Sequence, residues 1–118
     1  QVMTQDSFEV DRFRAIATRL QNGEQAVLAD ILRDVLGRIV KDKLKERFSL
    51  NDADLEDVFS ITLFRLWRNR LLYDPEKAPF DRWCYLVARN VAIDLVRRKL
   101  RTNSEEFPKR NSNSGNSS

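Results

Sequence analysis

A chain of 118 residues with a net charge of +3, one cysteine and no histidine has the length of a single domain with its own core. One cysteine excludes an internal disulfide and fits a reducing compartment, and the lack of histidine removes the commonest metal ligand and general base. No apolar run approaches membrane-spanning length, the N-terminus holds no apolar signal core, and there is neither a phosphate-cradling glycine loop nor a metal-ligand cluster; an enzyme is the least favoured class, with no catalytic residue, metal or cofactor implied.

In chain order, Ser7 to Leu20 reads as a first helix. Phe8, Phe13, Ile16, Ala17 and Leu20 form its apolar stripe, and Asn22-Gly23 is a stop signal. A second helix is expected from Glu24 to about Glu46, with a broad core stripe of Leu28, Ile31, Leu32, Val35, Leu36, Ile39 and Val40. Gly37 inside it costs about 1 kcal/mol relative to alanine, and either permits a close helix approach or is tolerated. Lys41, Lys43, Lys45 and Arg47 read as a solvated helix end ahead of a DNA site. Phe48 to Leu50 is a short connection.

A third helix follows Asn51, a suitable N-cap, with Asp52, Asp54, Glu56 and Asp57 set against the positive end of the helix. At 100° per residue Leu55, Val58, Phe59, Thr62 and Leu66 share one side. Asp57, Ser60, Ile61, Phe64 and Arg68 lie opposite. Apolar Ile61 and Phe64 outside the main stripe leave two readings open, a second packing side or a partner-binding face.

After a loop, Leu72 to Ala78, a fourth helix is expected from Pro79, a residue suited to the first helical position. Phe80, Trp83, Cys84, Val87, Ala88, Val91 and Leu95 form its core face, and both tryptophans, Trp67 and Trp83, are expected to be largely buried. Roughly opposite run Arg82, Leu86, Arg89, Ile93 and Arg97, followed by Arg98, Lys99 and Arg101. Arginines spaced along one face fit phosphate tracking; a solvated basic face is the plainer alternative.

No strand alternation persists, so the fold class is all-α, a compact helical bundle of about four helices. Residues 1–101 form the domain. From Thr102 the sequence turns polar, with Pro108 and Gly115 among serines and asparagines, and residues 102–118 are expected to be a flexible tail or linker.

The pair of helices around the loop resembles region two of a bacterial sigma factor of the extracytoplasmic-function type. The matching residues are Asp57, Arg65 and Trp67, then Asp74, Pro75 and Phe80 of the loop. Trp83, Tyr85 and the run Ala88, Arg89, Asn90, Ala92, Ile93, Asp94, Arg97 and Arg98 complete the match. That last run, A-R-N-x-A-I-D-x-x-R-R, is the specific part. The stretch from Leu20 to Ala26 also resembles the family's entry into the region, so the likeness extends from about Phe8 to Arg101. The chain departs from the pattern at Ser60 and Ile61, where the family usually has Gln-Glu, and at Leu63, where Phe is usual.

The resemblance implies a transcription initiation module in the cytoplasm. Its polymerase-binding face would be Asp57, Ser60, Ile61, Phe64, Arg65 and Arg68, set on the clamp helices of the beta-prime subunit of RNA polymerase core. Its DNA-binding residues would be Tyr73, Lys77, Arg82, Tyr85, Arg89, Asn90, Arg97, Arg98 and Arg101, holding the non-template strand of the promoter minus-ten element. The loop from Tyr73 to Pro79 would border a base pocket. Asn90 is the best base reader because an amide both donates and accepts. Tyr85 is a better stacking candidate than Trp83, and Asp94 is expected to pair with Arg98. In the family a linker like residues 102–118 leads to a helix-turn-helix domain. Ser60 and Ile61 motivate a second reading, a sigma-like interaction module that binds a regulator such as an anti-sigma protein without productive polymerase docking.

Overall fold

Helix α1 spans Gln5–Gln21 and buries Phe13, Ile16, Ala17 and Leu20, the stripe expected of it. A computed structural model describes residues 5–104, with side chains over 11–102; Phe8 of that stripe and the tail beyond residue 104 lie outside them. Gly23 ends α1 with φ +85°. The amide of Gly23 donates to Leu20 O at 3.0 Å and that of Glu24 to Arg19 O at 3.0 Å, which satisfies the last carbonyls of the helix.

The next helical run starts at Val27, three residues later than expected, after turns through Asn22 to Ala26. It comprises α2 (Val27–Ile31), a wide-turned π segment (Leu32–Val40) and α3 (Lys41–Arg47). Ile31, Val35, Leu36, Val40 and Leu44 are all fully buried, whereas Leu32, counted in the apolar stripe, is 39% exposed. A stripe at 3.6 residues per turn includes Leu32, and the wider turn changes which positions point inward. A Cβ on Gly37 would lie 3.0 Å from Leu32 O of its own helix. The glycine therefore relieves crowding inside the wide segment and does not admit a neighbouring helix.

The run ends in the same pattern as α1, without a glycine. Ser49 has φ 54°, its amide donates to Glu46 O at 3.3 Å, and Leu50 N donates to Lys45 O at 2.9 Å. Leu50, buried, follows at the position where such caps make their apolar contact. A side chain held in the left-handed region costs roughly 1 kcal/mol. Ser49→Gly is therefore expected to raise the melting temperature by about 4–8 °C for a domain of this size, read by thermal denaturation. A lower or unchanged value would mean that Ser49 is not held there.

Helix α4 (Asp52–Arg68) opens on the expected cap in a reciprocal form. Asn51 Oδ1 accepts from Asp54 N at 2.7 Å, and Asn51 N donates to Asp54 Oδ2 at 3.2 Å. Leu55, Val58, Thr62 and Leu66 are its buried side. A short 3-10 turn (Arg70–Leu72) leads to the loop, and α5 (Phe80–Ser104) runs three residues past the expected end. Pro79 sits just before α5, its carbonyl accepting from Trp83 N at 3.1 Å.

Helix α5 packs on α4, on the wide segment and on α1. Its buried line is Phe80, Cys84, Ala88, Val91 and Ala92. Small residues at Ala88 and Ala92 suit an α5 that touches three neighbours. Two ion pairs tie α4 to α5: Lys99 Nζ donates to Asp54 Oδ2 at 2.9 Å, and Arg65 Nη2 to Asp94 Oδ2 at 3.4 Å. The described residues contain no strand, and no helix among them is long and apolar enough to cross a membrane. The expected all-α bundle is what forms.

Candidate functional site

Three surfaces carry the residues singled out in the sequence, and α5 belongs to all of them. Along its outer side Arg82 and Arg97 are exposed, with Leu86, Arg89 and Ile93 half-buried between them. Arg89 Nε is buried and has no hydrogen-bond partner among the described residues. Thr62 Oγ1 and Arg70 Nε share that state, and the rest of the Arg89 side chain is half-buried, so Arg89 joins a packed stem to the basic side of α5. Asn90 is exposed. Asp94 takes its bond from Arg65 of α4, which replaces the expected pairing with Arg98. The reason is geometric: α4 runs alongside and offers a cation across the helix pair.

Tyr85, expected to be available for stacking, is half-buried against the core, with Lys43 Nζ 5.3 Å from its ring centroid. One of the lysines read as a solvated helix end therefore covers an aromatic ring of α5. The tryptophans differ from expectation too. Both are only partly buried. The Arg70 guanidinium lies 4.1 Å from the Trp67 centroid, and Trp83 leans on Tyr73 at 4.9 Å and 31°. Both tryptophans pack against the core without being wholly enclosed by it.

The loop before α5 is tied from within and from α1. Asp74 Oδ1 accepts from Glu76 N at 2.9 Å, and Lys77 N donates to Asp74 O at 3.0 Å. Tyr73 is buried and its hydroxyl donates to Ala78 O at 2.8 Å, bridging the ends of the loop. Burial pushes its phenol up. Tyr73 thus shapes the loop and presents no free hydroxyl. Gln21 Nε2 donates to Tyr73 O at 2.8 Å and to Arg70 O at 3.0 Å. Gln21 went unnoticed in the sequence, where a glutamine before a helix stop carries no signal of a partner some fifty residues away. Tyr73, Phe80 and Trp83 form an aromatic trio, with Tyr73 edge-on to Phe80 at 5.5 Å.

Between α1 and this loop lies a cavity of about 250 Å³, lined by Phe13, Tyr73, Pro79 and Phe80 and by the charged residues Arg14, Glu76, Lys77 and Asp81. The participation of α1 was not anticipated. Its stripe reads as core, and only the tertiary fold brings Phe13 beside the loop.

On the third surface, α4 exposes Asp57, Ser60, Phe64 and Arg68. Phe64 is 59% exposed, with the Arg68 guanidinium 5.5 Å from its ring centroid. Ile61 and Arg65 are half-buried, because they line a groove shared with Asp94, Arg97, Arg98 and Arg101 of α5. Residues expected on two separate faces, one for a protein and one for DNA, therefore meet here. Lys99, in the same basic run, is turned to the other side and holds Asp54. That hydrogen bond, with the one from the Asn51 amide, keeps the Asp54 carboxyl below its usual range. Cys84 is wholly buried, and burial pushes its thiol well above the usual value, so it acts as a small apolar group. No cluster of metal-ligating side chains occurs among the described residues.

Comparison with known proteins agrees with this arrangement. The chain is 30% identical over 89 residues to the ECF RNA polymerase sigma factor SigE of Mycolicibacterium smegmatis; the match covers 73% of this chain and 33% of that protein. The chain thus spans about a third of the length of the curated relative it matches. No solved structure matches it. The family model described as Sigma-70 region 2 matches residues 32–102, more than half of the chain and nearly all of the helical scaffold from the wide segment through α5, and this protein therefore belongs to the Sigma-70 region 2 family.

Proposed function

We propose that the chain is a cytoplasmic transcription initiation module, in which residues 1–101 form the working domain and residues 102–118 a linker. Its family acts in transcription initiation and is not enzymatic. It docks on the clamp helices of the beta-prime subunit of RNA polymerase core through the α4 face of Asp57, Ser60, Ile61, Phe64, Arg65 and Arg68. It holds the non-template strand of the minus-ten element along α5, with Arg82, Arg89 and Arg97 on phosphates and Asn90 on a base. Lys77 and the pocket behind Tyr73 receive an unstacked base, since phosphate contacts supply affinity and base contacts specificity. The observation that carries this reading is the outer side of α5, where Arg82 and Arg97 are exposed and Arg89 is half-buried between them at helical spacing.

In a reconstituted complex of the chain, polymerase core and promoter DNA, Arg89→Ala is expected to weaken all promoter sequences alike. It should also flatten the salt dependence by about 0.7 in log–log slope, the value for one single-strand phosphate contact. Asn90→Ala is expected to relax base preference with the slope nearly unchanged. If both variants open promoters as the parent does, with the same salt dependence, the DNA path is wrong.

A second reading is favoured by Ser60, Ile61 and the exposed Phe64. The α4 face would then bind a regulator such as an anti-sigma protein, without productive polymerase docking. Retention of polymerase core on the immobilised chain separates the two.

A further inference from the structure

The loop before α5 is bound to itself. The amides of Glu76 and Lys77 donate to Asp74, and the Tyr73 hydroxyl donates to Ala78 O at 2.8 Å. Such internal bonds give the loop a shape but do not set where it stands against the bundle. One side chain of α1 reaches across to do so. Gln21 Nε2 carries two hydrogens and meets two acceptors, Tyr73 O at 2.8 Å and Arg70 O at 3.0 Å. Arg70 opens the 3-10 turn and Tyr73 follows its last residue, so one amide spans the entry to the loop. Gln21 is half-buried and is the last residue of α1. That end of the helix is itself held, because Arg19 reaches Asp30 at 2.8 Å and Glu24 at 3.1 Å. About two turns earlier on α1, Phe13 lines the cavity that Tyr73 and Phe80 also line. Tyr73 is thus fixed at both ends, by its carbonyl from α1 and by its hydroxyl from Ala78.

We propose that Gln21 is a positioning residue for base selection: by holding the Arg70 and Tyr73 carbonyls it fixes the loop against α1, and so decides which unstacked base the pocket beside Tyr73 accepts, without touching DNA itself. The proposal rests on the DNA-binding reading above. A pocket that discriminates must reject wrong occupants, and a wall free to shift rejects little. An amide suits the task because it offers two donors without a charge. A carboxylate at this position would face two carbonyl oxygens with repulsion, and a methionine of similar size would bond to neither.

The test compares the full chain with Gln21→Met and Gln21→Glu, each in complex with RNA polymerase core. Circular dichroism checks folding, and Gln21→Glu, able to turn to solvent, keeps the test readable if methionine disturbs the end of α1. Affinity is measured for promoter fragments carrying each base in turn at every position of the minus-ten element. Both variants are expected to lower the preference for the favoured base at one position, or two adjacent ones, by about fivefold, the worth of one neutral hydrogen bond. Preferences elsewhere and the salt slope should match the parent, since Gln21 meets no phosphate. Arg89→Ala supplies the contrast, a loss shared by all sequences. Hydrogen exchange reads the tie without DNA: the amides of Leu72 and Lys77 should exchange faster in both variants, and those of Val58 and Leu66 in α4 at the parent's rate. A base profile equal to the parent's overturns the proposal even if exchange quickens, because the tie would then serve stability alone. An equal loss at every position overturns it as well. A parent without base preference takes down the DNA-binding reading and this proposal together, whereas a selective parent with unaltered variants sinks the proposal alone.

Discussion

Phe80→Ala is expected to destabilise the protein by about 3–5 kcal/mol, the range for removing a buried phenyl ring. Phe80 is 3% exposed and starts α5. Its ring meets Tyr73 at 5.5 Å and Trp83 at 5.9 Å, and it walls the cavity against α1. Little can collapse into the space, because Tyr73 is held by its hydroxyl on Ala78 O and by its carbonyl on Gln21. A loss of that size lowers the melting temperature by roughly 12 °C or more in a domain of about this length. Phe80→Leu, which keeps most of the volume, should cost about 1 kcal/mol. Urea denaturation gives both numbers. A change below about 1 kcal/mol for Phe80→Ala would show that the aromatic trio does not anchor the loop to the helices.

The second large effect is expected in binding. Phe64→Asp should reduce affinity for polymerase core by roughly 30-fold or more, since a central aromatic anchor is worth at least about 2 kcal/mol when truncated. Phe64 is suited to that role by being 59% exposed beside Arg68 and next to the groove of Ile61. The same exposure means that folding is little affected, so circular dichroism and melting should match the parent. Fluorescence anisotropy with labelled chain and core enzyme measures the change. Parent-like binding by Phe64→Asp would place the docking face elsewhere.

Much of the molecule could be read from local pattern. The Asn51 cap, the glycine stop at Gly23 and the buried line of α4 follow from rules that act within one or two turns of chain. Departures arose where a distant element intervened. A one-dimensional reading offers Asp94 only partners on its own helix, such as the i+4 arginine; Arg65 takes it once α4 lies alongside. Tyr85 looked open because it lies off the apolar stripe of its own helix, and Lys43 covers it from another. Leu32 was placed inside by a 3.6-residue period, and the wide segment has a different one. Serine carries no sequence signal of positive φ, so the helix end at Ser49 is visible only in the folded chain, where Leu50 is buried just after it.

By itself the sequence determined the helical class, the element order and the arginine spacing on α5, because hydrophobic periodicity, caps and helix geometry are short-range and need no partner. The tertiary structure alone decided which arginines face which surface. A helix presents side chains in every direction, and only packing of α5 against α4, α1 and the wide segment assigns a direction to each. That packing turned Lys99 onto Asp54, left Arg82 outward and Arg89 half-buried, and gathered Arg97, Arg98 and Arg101 with Arg65 and Ile61 into one groove. It also brought Phe13 and Gln21 of α1 to the loop, a long-range contact for which neither residue carries a sequence signal.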